Sequence, residues 1–392
     1  MILTNSEKDF IKANISENVE KLLLSSKTKG LANAKFIVEQ IKARQKIKTK
    51  LPTWHTNFDL IMPKSISVEQ SSSEITAQYK SELFSGNIVL DLTGGFGVDF
   101  FAFCKPFQKA IYIEQNLELA AITQQNAKVL GLNNASFHTG NSIDFLRDYE
   151  GNFDIIYLDP ARRDSLGGKV FSLEDCEPNI LNIKLLLFEK TNTILLKCSP
   201  MLDISLAIKQ LENVAEVHVI SVENEVKELL FVLKKECVKV EFTKVVNFRK
   251  DKIDTLAFVD EMEASLNFNI SKPLKYIYEP NAGLMKAGVF KSISAKFKLP
   301  KLHQNTHLYT SNELLEYFPG RIFEVKNILK IDKKEIKAKI PLMKANLAIR
   351  NFNDTVVNLK KKLGLVDGGN EYLFACTNNL NEKIILQTIK IN

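Results

Sequence analysis

The sequence predicts an α/β protein: an open, largely parallel sheet covered by helices and closed by an antiparallel hairpin, with a helical region before it and a smaller α+β unit after it. Three observations carry this. From residue 88 to 198, short β-branched apolar runs alternate with helical stretches, the pattern of a parallel sheet covered on both faces. The last two runs, EVHVISV (216–222) and ELLFVLK (228–234), are separated only by ENEVK, which is too short for a helical crossover, so they pair antiparallel. Beyond 237 the runs alternate polar and apolar residues and lysine is abundant, which marks a different architecture.

Taken in order, Phe10, Ile11, Ile15, Val19, Leu22 and Leu23 form one stripe at helical spacing, and Phe36, Ile37 and Ile41 form another. They predict a helical region over 5–50. Within it, residues 26–50 set Arg44 and a series of lysines against the single acid Glu39, which fits a basic helical surface near phosphates or a solvated helix face. Prolines 52 and 63 around the only tryptophan, Trp54, predict an irregular connector over 51–68. EQSSSEITAQYKSELF (69–84) reads as a capped helix feeding a strand. The strands are then IVLDL (88–92), KAIYIE (109–114), ASFHTG (135–140), FDIIYLD (153–159), TILLKC (193–198) and the two hairpin runs. Further on, VKVEFTKVVNF and AFVDEMEASLNFNI have strand spacing, YIYEPNAGLMKAGVFKSISAKFKLP a turn and a helix, and 333–338 a helix.

With 392 residues, 45% apolar and 25% charged, the chain has room for two or three domains. No apolar run approaches a membrane span, and MILTNSEKDFIKAN carries charges where a signal peptide is apolar, so a cytoplasmic location is expected. The five cysteines are scattered, with no CxxC pair and no histidine at ligand spacing, which supports neither a disulfide framework nor a zinc site, and no metal is expected. A formal charge of +7 permits a polyanionic partner without requiring one.

The stretch VLDLTGGFGVD (89–99) bears on the cofactor. Glycines after a strand let backbone approach a ligand closely. A dinucleotide fingerprint starting at Gly95 would need glycine where Phe100 stands. Asp91 would oppose a pyrophosphate, whereas the sulfonium and ammonium of S-adenosylmethionine (SAM) suit an acid beside the loop formed by Thr93, Gly94, Gly95 and Gly97. Electrostatics favour SAM over NAD. Strand KAIYIE ends in Glu114, where an acid accepts both ribose hydroxyls in either ligand class. In TGNS (139–142), Asn141 and Ser142 reach the adenine edge, or Asn141 is a turn asparagine. Ser71, Ser72 and Glu74 close over the methionine end of SAM or cap a helix.

The chain resembles the class I SAM-dependent methyltransferases: DLTGGFG matches their first motif, Glu114 the second, Asn141 the usually acidic third and DPAR the fourth, over roughly 70–235. More narrowly, EQSSSEITAQYK, DLTGGFGVD, LDPARRD and EPNAGLMKAG resemble a bacterial methyltransferase family carrying a ferredoxin-like segment and a C-terminal THUMP-like domain. The resemblance implies a Rossmann-like methyltransferase sheet with a terminal hairpin, a ferredoxin-like segment at 274–318 and a THUMP-like domain at 319–391. It also implies SAM as cofactor and RNA, tRNA or rRNA, as substrate. The expected domains are 1–68, 69–236, 237–318 and 319–392.

In related amino-methylating enzymes the fourth motif is an acid or asparagine, two prolines and an aromatic. Here Asp159 and Pro160 fit, but Arg162 holds the aromatic position. A planar guanidinium still stacks on a base or clamps a phosphate, so Arg162 and Arg163 are expected to hold a negatively charged substrate over Asp159. The uracil-5 methyltransferases offer a rival pattern, with arginine after the prolines and a nucleophilic cysteine after the next strand. KCSP (197–200) puts Cys198 there, and uracil C5 needs such a thiolate. Small buried cysteines also occupy strand ends. In ENEVKEL (223–229), Glu225 is a substrate-binding candidate beside Glu228, against a solvated turn. The leading expectation is an RNA methyltransferase. The alternatives are a SAM- and RNA-binding protein without transfer, and a small-molecule methyltransferase.

Overall fold

A computed structural model describes residues 2–162 and 172–391, with the side chains of 162 and 260–262 outside the description. The chain forms two compact units, Met1–Ala215 with Leu229–Lys239, and Glu216–Glu228 with Val240–Asn392.

The first unit begins with helices α1 (Asn5–Ala13), α2 (Val19–Leu24), α3 (Ala34–Ile47), α4 (Pro52–Thr56), α5 (Ser65–Gln70) and α6 (Glu74–Ser81). Leu3, Ile11, Leu22, Ile37, Val38 and Ile41 make their core. Leu23, placed in the apolar stripe by spacing, is 46% exposed, because α2 turns only Leu22 inward. The basic stretch also departs from its sequence reading. Arg44 is fully buried and donates to the carbonyls of Trp54, Asn57 and Leu60 at 3.3, 3.0 and 2.5 Å. Burial lowers its pKa to about 10, which leaves it charged at neutral pH. Lys46 pairs with Glu69, and Lys50 donates to the carbonyls of Val68 and Glu69. Much of this charge therefore ties the region together.

The expected irregular connector instead contains α4 and α5. Pro52 sits in the first turn of α4, where a missing N–H costs nothing, and the Glu74 carboxylate accepts from the N–H groups of Thr53 and Trp54. Between α4 and α5, side-chain amides replace regular structure: Gln40 bonds both backbone groups of Met62, and Asn126 both of Ile61, all at 2.7 to 2.8 Å. Ser73 caps α6, as its sequence predicts.

Strands and helices then alternate: β1 (Gly86–Asp91), α7 (Val98–Phe103), β2 (Phe107–Glu114), α8 (Leu117–Val129), β3 (Ala135–Thr139), α9 (Ser142–Asp148), β4 (Ile155–Leu158), the short pair β5 (Ala161–Arg162) and β6 (Cys176–Glu177), α10 (Ile180–Lys190), β7 (Thr193–Cys198), α11 (Ile204–Leu211), β8 (Val214–Val222) and β9 (Glu225–Lys234). Strand β1 pairs parallel with β2 and β4, β2 with β3, and β4 with β7. Strand β9 pairs antiparallel with β7, Leu230 opposite Lys197. Buried runs such as Val89 to Leu92, Ile111 to Ile113 and Ile194 to Leu196 supply the sheet's core. The order reverses at β1 and β4, the switch point whose carboxyl ends bind ligands in open α/β sheets.

In the second unit, the hairpin tip turns through Glu223 and Asn224, both at positive φ, a two-residue turn that matches strand twist. Asn224 N–H donates to Asn247 Oδ1, and its own Oδ1 accepts from Ala282 N–H. Strand β10 (Phe242–Phe248) pairs parallel with β8 residues 216–222 and antiparallel with β11 (Ile253–Phe258). The AFVDEMEASLNFNI stretch, expected as strand, contains helix α12 (Asp260–Ser265). Its run of Glu, Met and Ala favours a helix, and Glu263 caps α14 through Lys291 and Ser292 N–H. Next come β12 (Tyr276–Pro280), α13 (Ala282–Ala287), α14 (Phe290–Phe297), β13 (Lys301–His303), β14 (Thr306–Ser311), β15 (Gly320–Leu329), α15 (Lys333–Lys339), β16 (Asn346–Arg350), α16 (Val356–Leu363), β17 (Glu371–Thr377) and β18 (Lys383–Lys390). They form a seven-stranded sheet in the order β13-β14-β12-β15-β18-β17-β16. Ile336 and Ile340 of α15 and Leu359 and Leu363 of α16 pack on it with Leu373 and Ile385. Among the described residues, no helix is long and apolar enough to cross a membrane.

Candidate active site

The glycine loop between β1 and α7 is shaped by what surrounds it. A Cβ on Gly94 would stand 2.1 Å from the Tyr112 ring, and one on Gly97 2.5 Å from Thr123. Gly97 also caps α7 at φ 81°, where glycine is favoured. Gly95 carries the loop: its carbonyl accepts from Tyr112 Oη at 2.6 Å and Thr123 Oγ1 at 3.1 Å, and its N–H donates to Glu114 Oε2 at 3.0 Å. The other oxygen of Glu114 accepts from Asn116 N–H. Its carboxylate is thereby oriented at the end of β2, with lone pairs left on both oxygens.

Asp91 ends β1 and is 1% exposed. Its Oδ1 accepts from Thr93 N–H at 3.0 Å. Burial holds its carboxyl well above the usual range, opposed by that bond and reinforced by the charges of Asp99, Asp159 and Glu114. The Thr93 side chain, expected against a cofactor, accepts from Asp159 N–H at 2.6 Å. Thr93 thus joins the acids at the ends of two adjacent parallel strands. Asp159 is 35% exposed and its Oδ2 accepts from Lys197 Nζ at 2.5 Å; Pro160 after it is buried.

Behind the loop lies a group that sequence reasoning missed. Asp99 Oδ2 accepts from Ser72 Oγ and Tyr157 Oη, both at 2.7 Å, and Lys80 Nζ is 3.1 Å from Oδ1. The Lys80 side chain is fully buried. Burial alone pushes the Asp99 carboxyl up, but Lys80 and then Lys197 outweigh it and hold it below the ordinary range. The signal was a lone charge in an otherwise apolar run, Asp99 in VDFFAF and Lys197 in TILLKC.

The remaining candidates fall in several places. Ser72 joins the Asp99 group, whereas Glu74 turns to α4. Asn141 caps α9, its Oδ1 accepting from Ile143 and Asp144 N–H at 2.8 and 3.2 Å, and half-buried Ser142 starts that helix. Arg162 lies in β5 opposite Cys176, and Arg163 lies outside the described residues. Glu225 belongs to the second unit, where it pairs with Lys227 at 2.7 Å; Glu228 there is buried.

Cys198 is 6% exposed, and burial pushes its thiol well above the ordinary range, helped by Cys176 and Asp159 against Lys197. A nucleophile must be a thiolate, so this environment opposes the uracil-5 pattern. Iodoacetamide at neutral pH is expected to label half-exposed Cys237 in the native protein and leave Cys198 unmodified, read by peptide mass spectrometry. Rapid labelling of Cys198 would restore the nucleophile reading.

Comparison with known proteins returns three family models: "conserved hypothetical protein 95" over 56–219, a ferredoxin-like domain over 276–319 and a THUMP domain-like model over 320–388. A solved structure of a candidate methyltransferase from Porphyromonas gingivalis W83 is 30% identical, with 100% of each chain covered and a TM-score of 0.86. TrmK from M. capricolum, solved with S-adenosyl-homocysteine, is 14% identical over 42% of this chain and 69% of its own, with a TM-score of 0.33. An rRNA methylase from Streptococcus thermophilus is 14% identical over 41% and 94%, with a TM-score of 0.31. No match was found among curated proteins.

Proposed function

This chain belongs to the methyltransferase family that carries ferredoxin-like and THUMP-like segments, and from that premise we propose that it methylates a nitrogen of an RNA base, in tRNA or rRNA, using SAM. The observation that carries this reading is the pair of acids at the switch point, Asp91 and Asp159, joined through Thr93.

The residues fit the cofactor. Glycine at 94 and 97 lets the loop backbone pack directly on Tyr112 and Thr123, and Asp91 is a buried acid that lacks a cationic partner of its own among the described residues. Asp91 would face the cationic methionine end, Glu114 the ribose, and the Asn141–Ser142 turn the adenine. SAM supplies a methyl group already activated on sulfonium. What remains for the protein is to bring the acceptor into line and exclude water. Asp159 accepts the hydrogen bond of the base N–H and takes up the proton released as nitrogen is methylated. Arg162 and Arg163 would hold the substrate's phosphate or stack on the base.

RNA as the acceptor rests on the THUMP-like domain and on exposed lysines: Lys333, Lys334, Lys337 and Lys339 on α15, and Lys361 and Lys362 on α16. Contacts of lysine with phosphate release counterions. Affinity for total tRNA is therefore expected to fall with salt at a log–log slope of about −3 or steeper, while SAM affinity stays nearly constant. A flat salt response would favour a small-molecule acceptor.

Asp91 gives the cofactor site a pH dependence. A carboxyl raised by burial in the folded state favours folding below its unfolded range and loses that contribution as pH rises through the folded value. A bound cation favours the ionised form, so SAM binding is expected to release a proton and to tighten as pH rises. Asp91→Asn should flatten the stability–pH profile of the free protein and weaken SAM by about 10- to 100-fold, the range of a charged hydrogen bond. Calorimetry in buffers of different ionisation enthalpy reads both; undiminished affinity in Asp91→Asn would remove Asp91 from the site.

A further inference from the structure

We propose that Lys197 is a positioning residue that fixes the acceptor-binding carboxylate of Asp159, an inference that rests on the methyltransferase reading above. Lys197 points from β7 into a place where hydration is largely lost: its side chain is 11% exposed, and its Nζ lies 2.5 Å from Asp159 Oδ2. A lysine in a buried parallel strand costs desolvation and persists only where anions compensate it.

Among the described residues, two such anions act on Lys197. One is Asp159 itself. The other is Asp99, whose carboxyl it helps Lys80 to hold in the ionised form. Charges therefore alternate from the fully buried Lys80 through Asp99 and Lys197 to the partly exposed Asp159. Each cation serves an anion, and the series sums to zero. Asp99 is also held by Ser72 from the turn before α6 and by Tyr157 from β4, so the series stands on four separate parts of the unit: the segment of Ser72 and Lys80, α7, the end of β4, and β7.

This arrangement leaves Asp159 little freedom. Its backbone N–H is held by Thr93 and its Oδ2 by Lys197. Oδ1 has no partner among the described residues, which leaves it to receive the base N–H. Without Lys197 the carboxylate would rotate about its χ angles and hydrate. A misplacement of about 1 Å costs roughly 100-fold in a positioned reaction. The effect belongs in the transfer step rather than in cofactor affinity, because Asp91 and the glycine loop do not depend on Lys197.

Two measurements test the proposal. Reductive methylation with formaldehyde and borohydride, followed by peptide mass spectrometry, asks whether the ion pair exists in solution regardless of turnover. Lys197 should be protected relative to exposed lysines such as Lys334, and Asp159→Asn should remove the protection; modification of Lys197 at the rate of Lys334 in the wild type would overturn the pair. Single-turnover transfer from labelled SAM to RNA asks what the pair does. Lys197→Met should lower the rate by about 10- to 100-fold with SAM affinity unchanged, and Lys197→Arg should recover most of the loss. A folded Lys197→Met protein that transfers at the wild-type rate would overturn the positioning role. Absence of transfer by the wild type, with Lys197 protected, would instead fail the methyltransferase reading and leave the pair as structural, which also overturns the proposal.

Discussion

Replacing Asp159 with asparagine is expected to reduce methyl transfer by about 10²- to 10⁴-fold, the span of a positioned acid–base group, while SAM affinity changes by less than about threefold. The substitution keeps the shape and the backbone N–H bond to Thr93 at 2.6 Å, so the geometry of the loop is kept. It removes the charge proposed to take up the acceptor's proton, and it deprives Lys197 of its nearer anion. Rapid-quench transfer combined with cofactor calorimetry separates the two effects. A parallel loss of SAM affinity would mean that Asp159 belongs to the cofactor pocket rather than to the acceptor.

Lys80→Met is expected to produce the largest loss of stability, about 3 to 5 kcal/mol, because it strands a buried carboxylate without its partner. Lys80 is fully buried and lies 3.1 Å from Asp99, which is itself 8% exposed. Adding Asp99→Asn should recover much of the loss: the amide oxygen still accepts from Ser72 and Tyr157, and no charge remains to be compensated. The pH dependence supplies an independent check. A carboxyl held below its unfolded range contributes stability above that range and loses it as pH falls through the folded value, so Lys80→Met should weaken this acid-side decline. Denaturant melts of the single and double variants across pH read both. An additive double-mutant cycle would show that Lys80 and Asp99 do not depend on each other.

The sheet was legible because each strand is a short β-branched run bounded by turn residues, and because five residues cannot cross a sheet. The glycine loop, Glu114 and Asp159 were legible for a related reason: local sequence sets which residue ends a strand. What escaped was tertiary. Nothing near position 44 shows that Arg44 turns inward to collect the carbonyls of Trp54, His55, Asn57 and Leu60, so a buried bracket looked like a basic surface. The helices at 52–56 and 65–70 are short, and side chains from α3, α6 and α8 hold the segment around them. Alternation at 257–270 mimicked a strand although its central residues favour a helix. Lys80, Asp99, Tyr157 and Lys197 come from four separate stretches, and only the packed unit brings them together. Thr93, expected against a cofactor, has a hydroxyl that accepts from Asp159 N–H, a contact between two strand ends that local sequence does not show.

The most direct test of RNA methylation is transfer of label from methyl-labelled SAM into total RNA taken from a strain lacking this gene, followed by digestion to nucleosides and mass spectrometry. Label is expected in a nitrogen-methylated nucleoside with the wild-type protein and none above background with Asp159→Asn. Label at C5 of uridine, or bound SAM with no label entering RNA, would contradict it.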